Sequence, residues 1–553
     1  MLLPAGDTYE ALYRDFAWDI PATFNMGAAV ADAWAEREPE RVCLQHFSPD
    51  GHHLSLTYGE LRDRSASLAN GLAALGIQRG DRVALLLPQS FETVIAHVAI
   101  YKMGAIALPL ALLFGADALE YRLTVAGASA IVTNAFGLER LAPVRDRLPE
   151  LRHVVSIDGA GDGVLGFADL LSAYPPLFSV AATGPDDPAL MIFTSGTTGP
   201  PKGALHGHRV LAGHIPGIQF AHEGFPRAGD RMWTPSDWAW AGGLLNALLP
   251  SLMLGVPVVS SPAQKFDAHM AFRIMAEMEV RNAFIPPTAL RLLKSVERPR
   301  ALYDLKLRTV GSAGESLGRE TYEWARSVLG VTVNEFYGQT ECNFVISSGA
   351  AFGVSRGGAI GRPSPGHRVA VVDPEGREVA VGATGQIAIH RPDPVMFLGY
   401  WRDEAATAAK FVGDWLLTGD LGRRDADGYI AFVGRDDDVI TSSGYRIGPS
   451  EIEDCLAGHP AVQLAAAVGK PDPVRTEIVK AYVVLVPGHK PDEALENDIR
   501  DWVKTRLSMH EYPREIEFVE ALPLTTSGKV IRRQLRERAA AETKAPRGKT
   551  AAG

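Results

Sequence analysis

Between Thr57 and Asn134 two hydrophobic patterns alternate along the chain. In TYGELRDRSASLANGLAALGI, Leu61, Leu68, Leu72 and Leu75 recur near helical spacing, which predicts a helix. The polar turn QRGD follows at 78–81, and RVALLLP at 82–88 is an unbroken apolar run, the pattern of a strand buried on both faces. SFETVIAHVAIYKMG predicts a second helix, and AIALPL and AGASAIVTN two more buried strands. The alternation returns at 251–314 as VPVVSS, a helix from Ala268 to Met278, NAFIPP, a helix over ALRLLKSV, and LRTVGSAG. Helices alternating with continuous apolar runs, rather than with period-two strands, predict parallel sheet covered on both faces. The economical arrangement is two similar α/β halves in one large lobe.

The texture changes beyond about residue 350, where RVAVVD, TGQIAIH and GYIAFVGR read as short strands with Gly and Asp turns, a β-rich subdomain. After Gly434 it changes again, to helix SEIEDCLAGH, strands AVQLAAAVG and EIVKAYVVLVP, helix EALENDIRDWVKTRL and strand EIEFVEA. A unit of about 100 residues can bury its own small core. The last residues, RAAAETKAPRGKTAAG, have no apolar periodicity and are expected to fray.

With 553 residues the chain needs more than one core. A net charge of −10 argues against nonspecific binding to nucleic acid or an anionic membrane, so an anionic ligand must meet a local positive site. Cys43, Cys342 and Cys455 are scattered and form no CxxC, which suits a reducing cytoplasm. The first twenty residues carry Asp7, Glu10, Arg14, Asp15 and Asp19, unlike a secretion signal. The most apolar long window, 94–114, contains His97, Lys102, Gly104 and Pro109 and reads as a buried helix and strand rather than a membrane span.

Candidate chemistry begins at TSGTTGPPKG, 194–203. Glycines free backbone N–H groups to face an anion, hydroxyls add donors, and Lys202 adds charge. The spacing is not that of a Walker A loop, which needs G-x-x-x-x-G-K-[ST] leading into a helix; Pro200 and Pro201 remove two N–H donors. GSAGES, 311–316, ends an apolar run, where the carboxyl end of a parallel strand meets ligands in α/β proteins. In NEFYGQTE, 334–341, Thr340 and Glu341 are a fit pair of oxygens for Mg²⁺ or simply a polar strand end. TGD, 418–420, places Asp420 on a turn, where it could bind vicinal hydroxyls or cap the turn. GRDDDVITSSGYRIGPSEIE, 434–453, puts a charge cluster where the composition shifts.

Together with the terminal PLTTSGKVIRR, these stretches resemble, in order and spacing, the adenylate-forming superfamily of acyl-CoA synthetases, luciferases and peptide-synthetase adenylation domains. The resemblance runs from about residue 57 to 535, and SSGYRIGPSEIE with HPAV and PDPVR is most similar to the medium-chain acyl-CoA synthetases. It implies an α/β fold: a large N-terminal lobe of two α/β subdomains plus a β-rich subdomain, and a small mobile α+β C-terminal domain. The implied division is an AMP-binding domain at 1–434, a hinge at 435–437, a C-terminal domain at 438–540 and a disordered tail at 541–553. The implied reaction is ATP-dependent, with coenzyme A as second substrate and Mg²⁺ as cofactor.

The same resemblance assigns roles. Thr194, Ser195, Gly196, Thr197, Thr198 and Lys202 would hold the β and γ phosphates; Glu341 would bind Mg²⁺ and Thr340 the α-phosphate. Gly314, Glu315, Ser316 and the chain at Glu335, Phe336 and Tyr337, with Gln339, would frame the adenosine, and Asp420 with Arg435 the ribose. Lys529 would contact the α-phosphate and the attacking carboxylate, then leave as the small domain turns about Asp437, bringing Gly444, Tyr445 and Arg446 to the thiol route. Gly338, Ala241 and Gly242 stand where acetate-specific relatives carry larger residues, so the acid is expected to exceed acetate, in a slot bounded by Ala313, Trp238, Trp240 and Phe336. On that reading Gly338→Trp would shift preference toward acetate or propionate. Straight medium-chain, branched and aromatic acids remain open, as does a non-CoA acceptor. A homodimer and acetylation of Lys529 by a lysine acetyltransferase, with a deacetylase reversing it, are further expectations.

Overall fold

The computed structural model describes residues 2–194, 200–261, 266–436, 438–442, 445–472, 475–507, 512–525 and 529–544, and of Tyr445, Arg446, Thr543 and Lys544 the backbone alone. Among these residues four sheets organise the chain. An eight-stranded sheet centres on the parallel strands Arg82–Leu86, Ile106–Pro109, Ala130–Thr133 and His153–Ser156. A nine-stranded sheet centres on Met232–Trp233, Val258–Ser260, Asn282–Phe284, Thr309–Ser312 and Val333–Tyr337, also parallel. The expected two α/β halves are thus present, with antiparallel pairing only toward the sheet edges.

Local sequence explains the elements. The helix Tyr58–Ala74 starts in a capping box, in which the Thr57 hydroxyl accepts from the Glu60 N–H and the Glu60 carboxylate from the Thr57 N–H. Losing such a cap costs about 1 kcal/mol. Ser90 caps Phe91–Lys102 with its hydroxyl alone, which accepts from the Thr93 N–H, and that helix is buried along most of its length. The interior joining the two sheets contains Leu44, Val83, Leu85, Val258 and Trp238. Cys43 and Cys342 are buried and Cys455 half-buried, all as free thiols.

A third, antiparallel sheet of Val369–Val372, Thr384–His390, Phe411–Val412, Trp415–Arg424 and Ile430–Arg435 forms the β-rich subdomain. Asp420 lies within the strand Trp415–Arg424 rather than on a turn. Gly419, at φ +76°, bends that strand beside it, a conformation costly for other residues.

The small domain packs the helices Pro449–Ala457, Glu493–Arg506 and Arg532–Lys544 on a five-stranded sheet whose longest ladder joins Val462–Asp472 to Thr476–Leu485. Its last helix runs to Lys544, into the segment expected to be a disordered tail. Glu542 anchors it there, accepting from Lys470 and Lys480 at 2.9 and 2.6 Å. Arg435 is the final residue of a large-domain strand, so the first residue of the expected hinge belongs to a sheet. Among the described residues no helix is long and apolar enough to cross a membrane.

Candidate active site

Four adjacent parallel strands, Met232–Trp233, Asn282–Phe284, Thr309–Ser312 and Val333–Tyr337, end on the same side of the nine-stranded sheet. The turns beyond them line one cavity of about 520 Å³, with Trp240 and Gly242 after the first, Gly314 after the third, and Gly338 and Thr340 after the fourth. Leu524, Thr525 and Lys529 of the small domain close it from the other side. The carboxyl ends of parallel strands are where α/β sheets bind ligands, because the connecting loops can change without disturbing the sheet.

Lys529 approaches Gly314 so closely that a β-carbon there would lie 3.5 Å from its Cε, at a backbone φ of +101°. The side chain is exposed at the cleft, yet crowding by protein pushes its pKa below the usual lysine value; Glu315, Asp420 and Glu341 oppose that push and Arg435 adds to it. The ammonium therefore stands in the field of three carboxylates from separate segments of the large domain, two on turns and Asp420 on a strand.

The described ends of TSGTTGPPKG, at Thr194 and Lys202, form the neck of a β-hairpin. The strands Pro188–Phe193 and Gly203–Gly207 pair antiparallel, and the Thr194 N–H donates to the Lys202 carbonyl at 2.9 Å across the neck. No helix follows the lysine directly, which is why the Walker spacing fails. Ser195, Gly196, Thr197 and Thr198 lie outside the described residues. Lys202 Nζ stands 5.5 Å over the Tyr400 ring, and the Tyr400 hydroxyl donates to Glu341 Oε1. Tyr400 therefore connects the neck of the hairpin to Glu341. It sits in LGYW, a stretch with no polar signature, so pattern alone does not mark it.

Asp420 gathers the other polar groups. Its Oδ2 accepts from the Tyr337 hydroxyl and the Gln339 amide, each at 2.6 Å, and its Oδ1 lies 3.4 Å from Arg435 Nη1. Asp420 is 5% exposed, and burial with that charge beside it drives the Tyr337 phenol well above its usual pKa. The turn GQTE and the strand around TGD are thus locked together by one buried carboxylate.

Several expected positions differ. Glu335 does not face the cavity: its carboxylate accepts from the Leu317 N–H at 3.0 Å, and burial pushes its pKa up to about 8. Glu315 is held by the Thr288 hydroxyl at 2.8 Å and by Arg291 at 3.2 Å, while the Ser316 carbonyl accepts from Arg291 at 2.9 Å. Trp238 is 1% exposed in the core and does not line the cavity, whereas Trp240, Ala241, Gly242, Ala313 and Phe336 do. Phe336 stacks between Phe284 and Phe344, with centroids at 5.5 and 4.3 Å.

Gly338 lines the cavity through its backbone, but not for the reason its small size suggested. A β-carbon there would lie 0.8 Å from the Asn343 carbonyl oxygen. The turn folds back on itself, with the Asn343 N–H donating to the Gln339 carbonyl at 2.5 Å and Asn343 at φ +44°. The missing side chain makes room for main chain, not for ligand.

Asp237 also lines the cavity. It accepts from the Ala239 N–H at 2.9 Å, and burial pushes its pKa up to about 6. Asp437 and Gly444 lie outside the described residues, and Tyr445 and Arg446 are placed by backbone only, in the strand Tyr445–Ile447.

Residues 31–401 match the family model of the AMP-binding enzymes, and residues 451–529 that of the AMP-binding enzyme C-terminal domain. The chain belongs to the AMP-binding enzyme family. It is 35% identical to a human mitochondrial acyl-coenzyme A synthetase, ACSM2B, over 94% of this chain and 92% of that protein. It is 32% identical to the acetyl-coenzyme A synthetase of Bacillus subtilis (strain 168), over 96% of this chain and 94% of that protein. The crystal structure of the anthranilate CoA ligase AuaEII with anthranoyl-AMP superposes with a TM-score of 0.88 at 29% identity, covering 95% of this chain and 99% of that one. Among AMP-binding enzymes, the resemblance to medium-chain acyl-CoA synthetases and the large-plus-small domain fold read from the motifs both hold, and the chain is an acid–thiol ligase by class.

Proposed function

We propose that this AMP-binding enzyme is an AMP-forming acyl-CoA synthetase for an acid larger than acetate, medium-chain or branched. The carboxylate attacks the α-phosphorus of ATP and diphosphate leaves; the thiolate of coenzyme A then attacks the acyl carbon and AMP leaves. The observation that carries this reading is the meeting of Lys529 with Gly314, Gly338 and Thr340 at one cavity. Attack of an anion on a phosphate requires fixed positive charge and donors at the reacting centre, and Lys529 and Thr340 supply them.

Asp420 holds the ribose hydroxyls in this reading, with Arg435 beside it, and the turn at 314–316 and the strand end at 335–337 frame the base by their backbones. Thr194 and Lys202 at the hairpin neck, with the loop between them, hold the departing phosphates. Mg²⁺ fits Glu341: one carboxylate oriented by Tyr400 suits a hard cation that keeps phosphate and water oxygens around it. Among the described residues no group of three His, Cys, Asp or Glu forms a dedicated metal cage. When bound, Mg²⁺ neutralises phosphate charge. The domain division at 434, pivoting at Asp437, and the use of Gly444, Tyr445 and Arg446 on the thiol route belong to the same proposal.

Two outcomes test it. With Asp420→Asn, Tyr337 and Gln339 lose their charged acceptor, and the KM for ATP should rise about 10- to 100-fold, the loss of one or two charge-assisted hydrogen bonds. Diphosphate release titrated with ATP measures it. Across straight-chain acids from acetate upward, kcat/KM should rise about fourfold per buried methylene until the cavity is filled, from about 0.8 kcal/mol each. A flat or falling series, or no acid-dependent diphosphate release, rejects the size assignment or the activity respectively.

An aromatic acid is the second reading, supported by the Phe284–Phe336 stack on the cavity wall and by the structural likeness to an anthranilate CoA ligase. Benzoate in the same series decides between them. Release indifferent to coenzyme A would point to another acceptor.

A further inference from the structure

The helix Pro449–Ala457 of the small domain carries two adjacent acidic residues that hold different partners. Glu453 faces its own domain. Its two oxygens accept from Arg532 Nη2 and Nε at 2.5 and 3.2 Å, along one guanidinium edge, and it accepts from the Ala467 N–H at 2.9 Å. Arg532 lies three positions beyond Lys529, so Glu453 ties the lysine-bearing segment to this helix.

Asp454 faces the large domain. Its Oδ2 accepts from the Arg319 N–H at 2.9 Å and its Oδ1 from the Glu320 N–H at 3.4 Å. These N–H groups open the helix Arg319–Trp324, whose preceding residue, Gly318, has no side chain to cap them. Gly318 sits at φ +78°, and a β-carbon there would stand 2.0 Å from Asp454 Oδ1. The small domain therefore supplies the cap in trans, through a space that only glycine leaves open. The same residues 311–318 that end at this cap also carry Gly314, against which Lys529 rests.

We propose that Pro449–Ala457 is a two-sided clamp and that Asp454 is a positioning residue for Lys529, favouring the domain arrangement that forms the acyl-adenylate over the one that consumes it. The inference rests on the two-step activity proposed above. Glu453 fixes Lys529 relative to the helix, and Asp454 fixes the helix relative to Gly314. Loss of the second contact frees the lysine from the cavity while the walls that the large domain supplies stay in place. The thiol step, which uses the small domain in another position, does not need the contact.

The test separates the two half-reactions in the full-length protein. Single-turnover formation of acyl-AMP from acid and ATP reports the first; thioester formation from supplied acyl-AMP and coenzyme A reports the second. D454A should slow the first about tenfold, the equivalent of one charge-assisted hydrogen bond, and leave the second undiminished or faster. D454N and D454S keep a capping oxygen and should recover most of the first-step rate. Equal slowing of both steps, slowing of the second alone, or no change in either overturns the clamp. Should D454A fail to fold, R532A applies the same comparison from the Glu453 side, with the same pattern expected and the same patterns overturning it. A wild-type protein that forms no acyl-AMP from any acid rejects the activity instead, and is read before any variant is made.

Discussion

Lys529→Ala should lower acyl-adenylate formation by about 10²-fold or more while thioester formation from supplied acyl-adenylate persists. The lysine is the small domain's cation in the cavity, set among the carboxylates Glu315, Asp420 and Glu341. Charge that develops on phosphate in the transition state is stabilised by a few kcal/mol when a preorganised cation meets it. Because crowding depresses its pKa, the ammonium form is lost at a lower pH than for a free lysine. The first step should therefore decline as pH rises through that depressed value, and the Ala variant should lack this limb. Single-turnover rates across pH measure both effects; a loss shared equally by the thiol step would reject the assignment. Acetylation of Lys529 removes the same charge and should reproduce the Ala variant.

Gly338→Trp should abolish adenylation with every acid and lower the Tm, rather than narrow the preference toward acetate. The side chain would begin within 0.8 Å of the Asn343 carbonyl oxygen, a main-chain atom held by the turn that presents Thr340 and Glu341. Relief requires the turn to open, and opening it misplaces both. Thermal unfolding and diphosphate release with acetate, propionate and longer acids check this; an active variant with shortened acid preference would show that the turn can rearrange. Gly242 is the better place to narrow the cavity, since its β-carbon would meet only the Phe284 ring, at 3.1 Å.

Much of the fold was legible because periodicity reports burial. RVALLLP and AIALPL pair in parallel register as expected of strands buried on both faces. The site was legible for a related reason: GSAGES and the turn of NEFYGQTE follow neighbouring strands of one sheet, so stretches distant along the chain converge in space. Side-chain direction is what the pattern does not encode. Trp238 and Trp240 are two residues apart, yet one is core and the other cavity wall. Glu335 and Phe336 are consecutive on a strand and point to opposite faces. Tyr400 and Asp237 were silent because their significance lies in partners and burial, not in spacing. Asp420 looked like a turn residue because Gly419 bends a strand that continues through it.

The contact between Asp454 and the large domain joins a side chain on one side to main chain on the other. Exchanging the residues at 319 or 320 leaves those N–H groups in place, unless proline removes one. Natural variation can therefore retune the balance between the domains through the codon for position 454, while positions 319 and 320 of the large domain vary around it so long as Gly318 stays glycine. A small domain grafted from a relative would bring its own setting with it.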